Sequence, residues 1–302
     1  MEMNDSIQIA ADLCTGCGSC IYVCPFKNID MVDGKAALTG EHCISCGHCA
    51  AVCTEAAIQV PAIDDGMGDY KTFNADKNWL PYGQYDTAGL VRLMGSRRSC
   101  RNFLDRSVDR SMLEDLVKIG ITAPSGTNSQ LWTFTIVPTR KAVVAFAGHI
   151  ASYFRKLNSM AEKASLRTVL KLVGKGELDE YYRSYYPLVK QAIDEWDDSG
   201  KDRLFHGAAS AIIVSMKPGA SCPAEDALLA TQNILLASHS IGLGSCLIGF
   251  AVSAIKQAPE IKLSTGIPSD ETVYAVIALG YPNESYRTVA GRKKAEIRDF
   301  AG

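Results

Sequence analysis

The chain has 302 residues, enough for one large domain plus a small one, and its 47% hydrophobic and 21% charged residues describe a globular protein that folds around its own core. The formal net charge of -2 excludes nucleic-acid binding through a basic surface, so no nucleic-acid partner is expected. No stretch reads as a membrane span. The longest apolar run, 227–255, is broken by Gln232, Asn233, His239 and three glycines and reads as a buried helix, a turn and a strand.

The polar N-terminus, residues 1–12, has no apolar core of the kind a secretory signal needs. An internal repeat follows. Residues 12–24, DLCTGCGSCIYVC, align with 41–53, EHCISCGHCAAVC, and Ile29 and Ile58 extend the register. Eight of the 11 cysteines fall in these two runs, each C-x2-C-x2-C-x3-C. Three thiolates on a tight loop cap three irons of a cubane, and the fourth, on the helical turn that follows, points away. In bacterial two-cluster ferredoxins that fourth cysteine ligates the other cluster. The reading is therefore two [4Fe–4S] clusters with crossed ligands: Cys14, Cys17, Cys20 and Cys53 for one, and Cys43, Cys46, Cys49 and Cys24 for the other. Gly18 and Gly47 let the loop backbone approach each cluster. Pro25 follows Cys24 as the pattern expects, and Thr54 replaces the second proline. Zinc is the alternative metal, but it favours well-separated C-x2-C pairs or Cys/His mixtures, and His42 and His48 read as exposed loop residues. Clusters need reduced thiolates, so the expected compartment is the cytoplasm.

From Pro61 to about Thr87 periodicity dissolves into Gly, Asp, Asn and Pro, which reads as a linker wrapping over one domain or the other. Beyond it, 108–120 has helical spacing, 123–130 is a loop, and 131–137 is β-rich. Residues 150–205 are helical and polar, with tyrosines at 181, 182, 185 and 186. A buried strand follows at 208–215, a buried helix at 226–241, and strands at 246–250 and 272–279. Helices and strands mix without a βαβ repeat, so the class is α+β. The domains are expected at 1–62 for the two-cluster ferredoxin-like unit, 63–88 for the linker and 89–302 for the α+β unit.

Residues 96–103, SRRSCRNF, place three arginines and a serine together, read as one turn able to grip a phosphate. APSGTNSQLW (123–132), GLGSCLIG (242–249), ALGYP (278–282) and GRKK (291–294) follow in that order. The series resembles the FMN-dependent nitroreductase family over residues 89–302, with the ferredoxin-like domain as a fused N-terminal module. The resemblance implies a mixed sheet surrounded by helices, an intertwined homodimer and FMN as cofactor. It implies that Arg97, Arg98, Ser99 and Arg101, with Arg292 and Lys293, hold the FMN phosphate and ribityl chain. Pro124, Ser125, Gly126 and Asn128 would reach the isoalloxazine from the other subunit, and Leu247, Ile248 and Gly249 would place a backbone N–H near flavin N5. Leu131 stands where the family often has Pro. GLGSCL follows a helix and has Leu at position 247, so it is not a dinucleotide fingerprint.

The implied function is an oxidoreductase. Electrons come from a ferredoxin-like one-electron donor or NAD(P)H, pass through the clusters to FMN, and go on to a small-molecule acceptor: a nitroaromatic, a quinone or another electron-poor compound. The alternative is an electron-transfer module feeding a partner protein, distinguished by a flavin face sealed by the Tyr-rich insertion. No catalytic general acid stands out, so protons would come from water or from a tyrosine of the 181–186 patch. Cys100, Cys222 and Cys246 read as buried or incidental thiols.

Overall fold

A computed structural model describes residues 7–301. The first unit closes on itself where β1 (Gln8–Ile9) pairs antiparallel with β4 (Ile58–Gln59), setting Ile9 opposite Ile58. Between them run α1 (Ser19–Val23), the hairpin β2 (Ile29–Val32) and β3 (Lys35–Leu38), and α2 (His48–Val52). The hairpin turns at Asp33 and Gly34, both at positive φ (49° and 75°), as the strand twist requires of a two-residue turn. A small core of Ile7, Ile29, Ala36, Ile58 and Val60 includes the thiols of Cys20 and Cys49.

Residues 61–86 carry one short 3-10 turn, Asp65–Gly68, yet they are fastened down. Lys118 Nζ donates to the carbonyls of Gly66 (3.2 Å) and Asp69 (2.5 Å). The buried carboxylate of Asp115 accepts from the amides of Lys71 (3.0 Å) and Thr72 (2.7 Å) and from the Thr72 hydroxyl (2.6 Å). The connecting segment thus lies along the helix that carries Asp115 and Lys118.

The second unit runs α3 (Thr87–Ser96), α4 (Arg110–Gly120), β5 (Trp132–Val137), α5 (Arg140–Ala161), α6 (Ala164–Leu172), α7 (Glu177–Ser184), α8 (Tyr186–Ser199), β6 (Ser210–Met216), α9 (Pro223–Ser240), β7 (Gly244–Leu247), α10 (Gly249–Gln257), α11 (Pro259–Ser264) and β8 (Thr272–Gly280). The sheet order is β5-β6-β8-β7, with every strand pair antiparallel. A single parallel bridge, Ser99 to Ser245, adds the segment before α4 to the β7 edge.

β6 is buried along its whole length because helices cover both faces of the sheet. Ala211 and Ile213 point into a core with Phe146 and Ile150 of α5 and Ala251 of α10. Ile212, Val214 and Met216 point into a second core with Leu113 and Leu116 of α4 and Ile234 of α9. The period-2 alternation therefore divides one apolar run between two layers. The fold is α+β with a small ferredoxin-like unit, as the sequence leads one to expect. Among the described residues no helix is long and apolar enough to cross a membrane.

Three local expectations change. The strand expected through Phe250 stops at Leu247, and Gly249 opens α10 instead. Helix begins at Arg140, not near 150, where the Thr139 hydroxyl caps it by accepting from the Ala142 amide. α3 begins at Thr87 and takes in the last two residues of the expected linker.

Candidate functional site

The thiols of the repeat surround two cavities. Gly18 (φ 76°) and Gly47 (φ 77°) sit at the N-caps of α1 and α2, in the left-handed conformation that ends each ligand loop. Cys20 and Cys49 follow on the first turns. Cys24 and Cys53 lie just past the helix ends, with their backbone extended, so each leaves its own loop and crosses to the other. One cavity is walled by Cys14, Cys17, Cys20 and Cys53, the other by Cys43, Cys46, Cys49 and Cys24. Backbone amides point at four sulfurs: Ala36 at Cys14 (3.4 Å), Asn28 at Cys24 (3.3 Å), Ser45 at Cys43 (3.4 Å) and Ala57 at Cys53 (3.3 Å). These N–H···S contacts favour thiolate, the ligand form. Amides of Ala36 and Gly16 lower the pKa of Cys14, and the hydroxyl and amide of Ser19 lower that of Cys17, while burial pushes Cys20 and Cys49 up. Four thiols ringing a cavity, rather than converging on a point, fit a cubane better than a single ion. His42 and His48 are exposed.

Downstream, residues 97–103 are not the single turn expected. α3 ends at Arg97, and the chain then runs extended along β7, with the Cys100 amide donating to Ser245 O (3.0 Å) and Phe103 bridging Pro282. Two glycines make room. A Cβ at Gly244 would stand 2.8 Å from Cys100 Cβ and Sγ, and one at Gly280 would stand 2.9 Å from the Phe103 ring. Arg97 is half-buried, and its pKa is lowered by burial, then by the charges of Arg292 and Arg98. Among the described residues none of Arg97, Arg98, Arg101 and Arg292 has a carboxylate within ion-pair distance. Cations gathered with no ion-paired carboxylate can hold an anion, and a phosphate suits them. Lys293 lies exposed on the C-terminal tail.

Beside these cations opens a cavity of about 1070 Å³. Arg101, His206 and the 246–249 segment line one side. The Ile248 amide is engaged by Val276 O (2.8 Å), while those of Gly249 and Phe250, in the first turn of α10, have no intrahelical partner. Phe154, Tyr181, Tyr185 and Phe250 add an aromatic wall. Phe154 and Phe250 meet edge to face at 5.7 Å, and Tyr185 and Phe250 at 6.0 Å. The tyrosine patch therefore splits: Tyr181 and Tyr185 line the cavity, while Tyr182 lies under Arg167 (3.7 Å) and stacks on Tyr186. The Tyr181 hydroxyl donates to Asn158 Oδ1 (2.7 Å), and burial pushes its pKa up. Tyr186 is bound to Glu162 and raised to about 12.

His206 was not singled out from sequence. It sits at φ 56° on the cavity wall, with its pKa lowered by burial and by Arg101. A lone histidine carries no spacing signal that would have revealed it. Cys100 and Cys246 are buried, and burial raises both thiols, Cys100 to about 11. Cys222 is exposed.

The 124–130 loop lies elsewhere. Asp226, buried in the first turn of α9, accepts from the Gly126 amide (2.9 Å) and the Ser129 hydroxyl (3.3 Å), and its carbonyl accepts from Trp132 Nε1 (3.0 Å). Ser125 Oγ accepts from the Gln130 amide (3.1 Å), and Pro124 is exposed. Register places Trp132 level with Met216 and Thr272, whereas Leu247 stands opposite Ile277. At ~3.3 Å per residue and ~4.8 Å per strand, the two ends lie on the order of 20 Å apart, at diagonal corners of the sheet. One chain therefore brings Arg97, Ser99, Arg101, Arg292 and Leu247–Gly249 together, but not with Pro124–Asn128.

Residues 94–281 match the model of the nitroreductase family. The chain belongs to the nitroreductase family. Residues 6–54 match the 4Fe-4S dicluster domain, so the two modules are fused in one chain. Among curated relatives, this nitroreductase-family chain is 25% identical over 202 residues to a 4-nitrobenzoate reductase of Pseudomonas putida, covering 64% of this chain and 85% of that protein. It is 24% identical over 198 residues to an iodotyrosine deiodinase of Thermotoga neapolitana, covering 65% and 89%. A solved nitroreductase with bound FMN from Bacteroides fragilis shares the fold at a TM-score of 0.50 and 21% identity, covering 70% of this chain and 98% of that one.

Proposed function

We propose that this chain is an FMN- and iron–sulfur-dependent oxidoreductase. It takes electrons from a ferredoxin-like donor or NAD(P)H and delivers them to a nitroaromatic, quinone or other electron-poor acceptor. The observation that carries this reading is the joining of a cation group with no ion-paired carboxylate to an aromatic-walled cavity of about 1070 Å³. When bound, FMN supplies a store for two electrons that fills one at a time, and the clusters supply single electrons.

In this reading Arg97, Arg98, Ser99, Arg101, Arg292 and Lys293 hold the phosphate end. The Gly249 and Phe250 amides donate to the ring system, and Tyr185 and Phe250 cover an aromatic acceptor stacked on it. His206 stays neutral near pH 7, because burial lowers its pKa, and it serves as an N–H donor that orients the acceptor. The Tyr181 proton is held by Asn158, so water in the cavity supplies protons to the product. The diagonal separation of Pro124–Asn128 from Arg97–Arg101 supports a homodimer in which each flavin lies between the cation group of one subunit and the 124–128 loop of the other. The relatives named as a nitrobenzoate reductase and a deiodinase both fit electron-poor or halogenated aromatic acceptors. An accessible cavity favours an enzyme over a carrier without its own substrate.

The test is anaerobic purification, followed by reduction with a reduced ferredoxin or NAD(P)H and addition of acceptors. Reoxidation by a nitroaromatic or quinone faster than that of free flavin supports the reading. FMN that is reduced but reoxidised no faster than free flavin by every acceptor class overturns it.

A further inference from the structure

Asn128 is engaged away from any ligand of its own chain's cavity. Its Nδ2 donates to the carbonyls of Ile44 (2.9 Å) and Ser45 (3.1 Å), and its Oδ1 accepts from Gln130 Nε2 (2.9 Å). Both amide hydrogens are thus committed to the ligand loop that runs from Cys43 to Cys49. Ser45, clasped in this way, is at φ 51°, and its own amide points at Cys43 Sγ (3.4 Å). Ile63 closes over the same loop, since a Cβ on Gly47 would stand 2.6 Å from its Cδ1. By contrast, no hydrogen bond among the described residues joins the 14–20 loop to the second unit, and Cys17 is exposed. The two ends of the ferredoxin-like unit are chemically alike but differently placed: one is seated on the 124–130 loop and the other faces solvent.

We infer that electrons leave this unit at the Cys24/Cys43/Cys46/Cys49 end, across Asn128, into the flavin site of the partner subunit, and are taken up at the Cys14/Cys17/Cys20/Cys53 end. The inference rests on the proposed FMN function. Direction follows from the seating of the loop. Transfer to the partner follows from the sheet geometry, because the 124–130 loop lies on the order of 20 Å from the cation group of its own chain. The reductant is a one-electron donor such as a reduced ferredoxin. With clusters and FMN bound, two electrons from that donor, passed singly through the clusters, and two solvent protons would balance the two-electron reduction of FMN, with the clusters returned to their starting oxidation state. Asn128 is a positioning residue in this step: it holds the ligand loop against the 124–130 loop and touches neither iron nor substrate.

Two experiments test it. Asn128→Ala removes the two hydrogen bonds to the ligand loop, each worth about five-fold in an equilibrium constant, so seating of the loop weakens by up to about twenty-five-fold. Stopped-flow mixing with reduced ferredoxin should show cluster bleaching at the wild-type rate and flavin bleaching slowed toward that factor. The EPR spectra of both reduced clusters should be retained, and amide exchange should rise at residues 44–46. Unchanged flavin bleaching overturns the positioning role.

The second experiment is a mixed dimer. One subunit lacks the outlet cluster (Cys46→Ser) and the other lacks the phosphate cations (Arg97→Gln with Arg292→Gln). Transfer between subunits leaves one working flavin, held by the Cys46→Ser chain and fed by the other. Transfer within a chain leaves none, which refutes the crossed route. Should Cys46→Ser fail to fold, pairing Asn128→Ala with the cation-deficient chain gives the same discrimination: crossed transfer then feeds the surviving flavin from an intact loop at full rate, and transfer within the chain feeds it from the weakened one. A wild-type protein whose flavin no donor reduces overturns the FMN reading itself. A flavin that is reduced normally when both subunits carry Asn128→Ala or Cys46→Ser overturns only the route.

Discussion

Replacing Arg97 by Gln should shift the flavin-free and flavin-bound proteins in opposite directions. Arg97 is half-buried, and its pKa is lowered by burial and by Arg292 and Arg98, so without ligand its charge is a cost. Partial exposure screens that repulsion to about 0.5 kcal/mol, which the neutral variant recovers. With FMN bound, the same guanidinium makes charge-assisted contacts to phosphate worth ~1.5–3 kcal/mol, so losing it raises the Kd for FMN by about ten- to a hundred-fold. Under a fixed excess of FMN, a loss of about 2 kcal/mol lowers Tm by roughly 4–8 °C for a domain of this size, while the flavin-free protein melts no lower than wild type. The assay is thermal melting with no ligand, with FMN and with riboflavin, which has the ring but no phosphate. Riboflavin binding should be unchanged. Equal losses for FMN and riboflavin would show that Arg97 acts on the ring or the fold, and the phosphate assignment would fall.

Gly244→Ala puts a methyl 2.8 Å from Cys100, which overpacking makes about 1–3 kcal/mol destabilising; it should lift residues 99–103 off β7 and reduce FMN content in purified protein. Asp115→Ala strips the acceptor from the Lys71 and Thr72 amides and the Thr72 hydroxyl, about 2 kcal/mol once water replaces part of the loss, and amide exchange at 71 and 72 should rise while α4 stays protected. Arg203 and Lys201 lower Glu195 from its ordinary 4.5 to about 2, so the contribution of this ion group to α8 is present above pH 4.5 and is lost as pH falls toward 2; Glu195→Gln should flatten that acid limb in circular dichroism. Tyr181→Phe should leave the pH profile of acceptor reduction unchanged near neutrality, since burial raises this phenol and Asn158 holds its proton; a new pH dependence would make Tyr181 the proton source.

The cluster loops are legible from sequence because their chemistry is local. Cysteine spacing sets the three-ligand loop, and repetition sets the partner that receives the fourth thiol. Long periodic segments such as α4 and α9 are legible for the same reason. The path of residues 97–103 is not, since it depends on the missing side chains of Gly244 and Gly280, far along the chain. The end of β7 is ambiguous because a short apolar run fits a buried strand or a buried helix equally well. His206 and the partners of Asn128 depend on tertiary contacts alone. The resemblance carries Asn128 to a flavin; that the fused module also gives its side chain the Ile44 and Ser45 carbonyls is legible only in the structure.

Fusion replaces an encounter with a permanent neighbour. A free ferredoxin must find its acceptor by diffusion, whereas here the ferredoxin-like unit is held at one end by Asp115 and Lys118 through residues 66–72 and at the other by Asn128 through residues 44–45, which fixes its effective concentration at the second unit. Asp226 is the common support. It lies in the first turn of α9, where a helix N-terminus favours a carboxylate, and it is rooted in the sheet-covering layer. Through Gly126 and Ser129 it fixes the loop that presents Asn128. Position therefore passes from the core of the second unit to Asp226, to the 124–130 loop, to the ligand loop and so to Cys43 and Cys46. A single buried carboxylate thereby couples the packing of the nitroreductase fold to the placement of a cluster it does not touch.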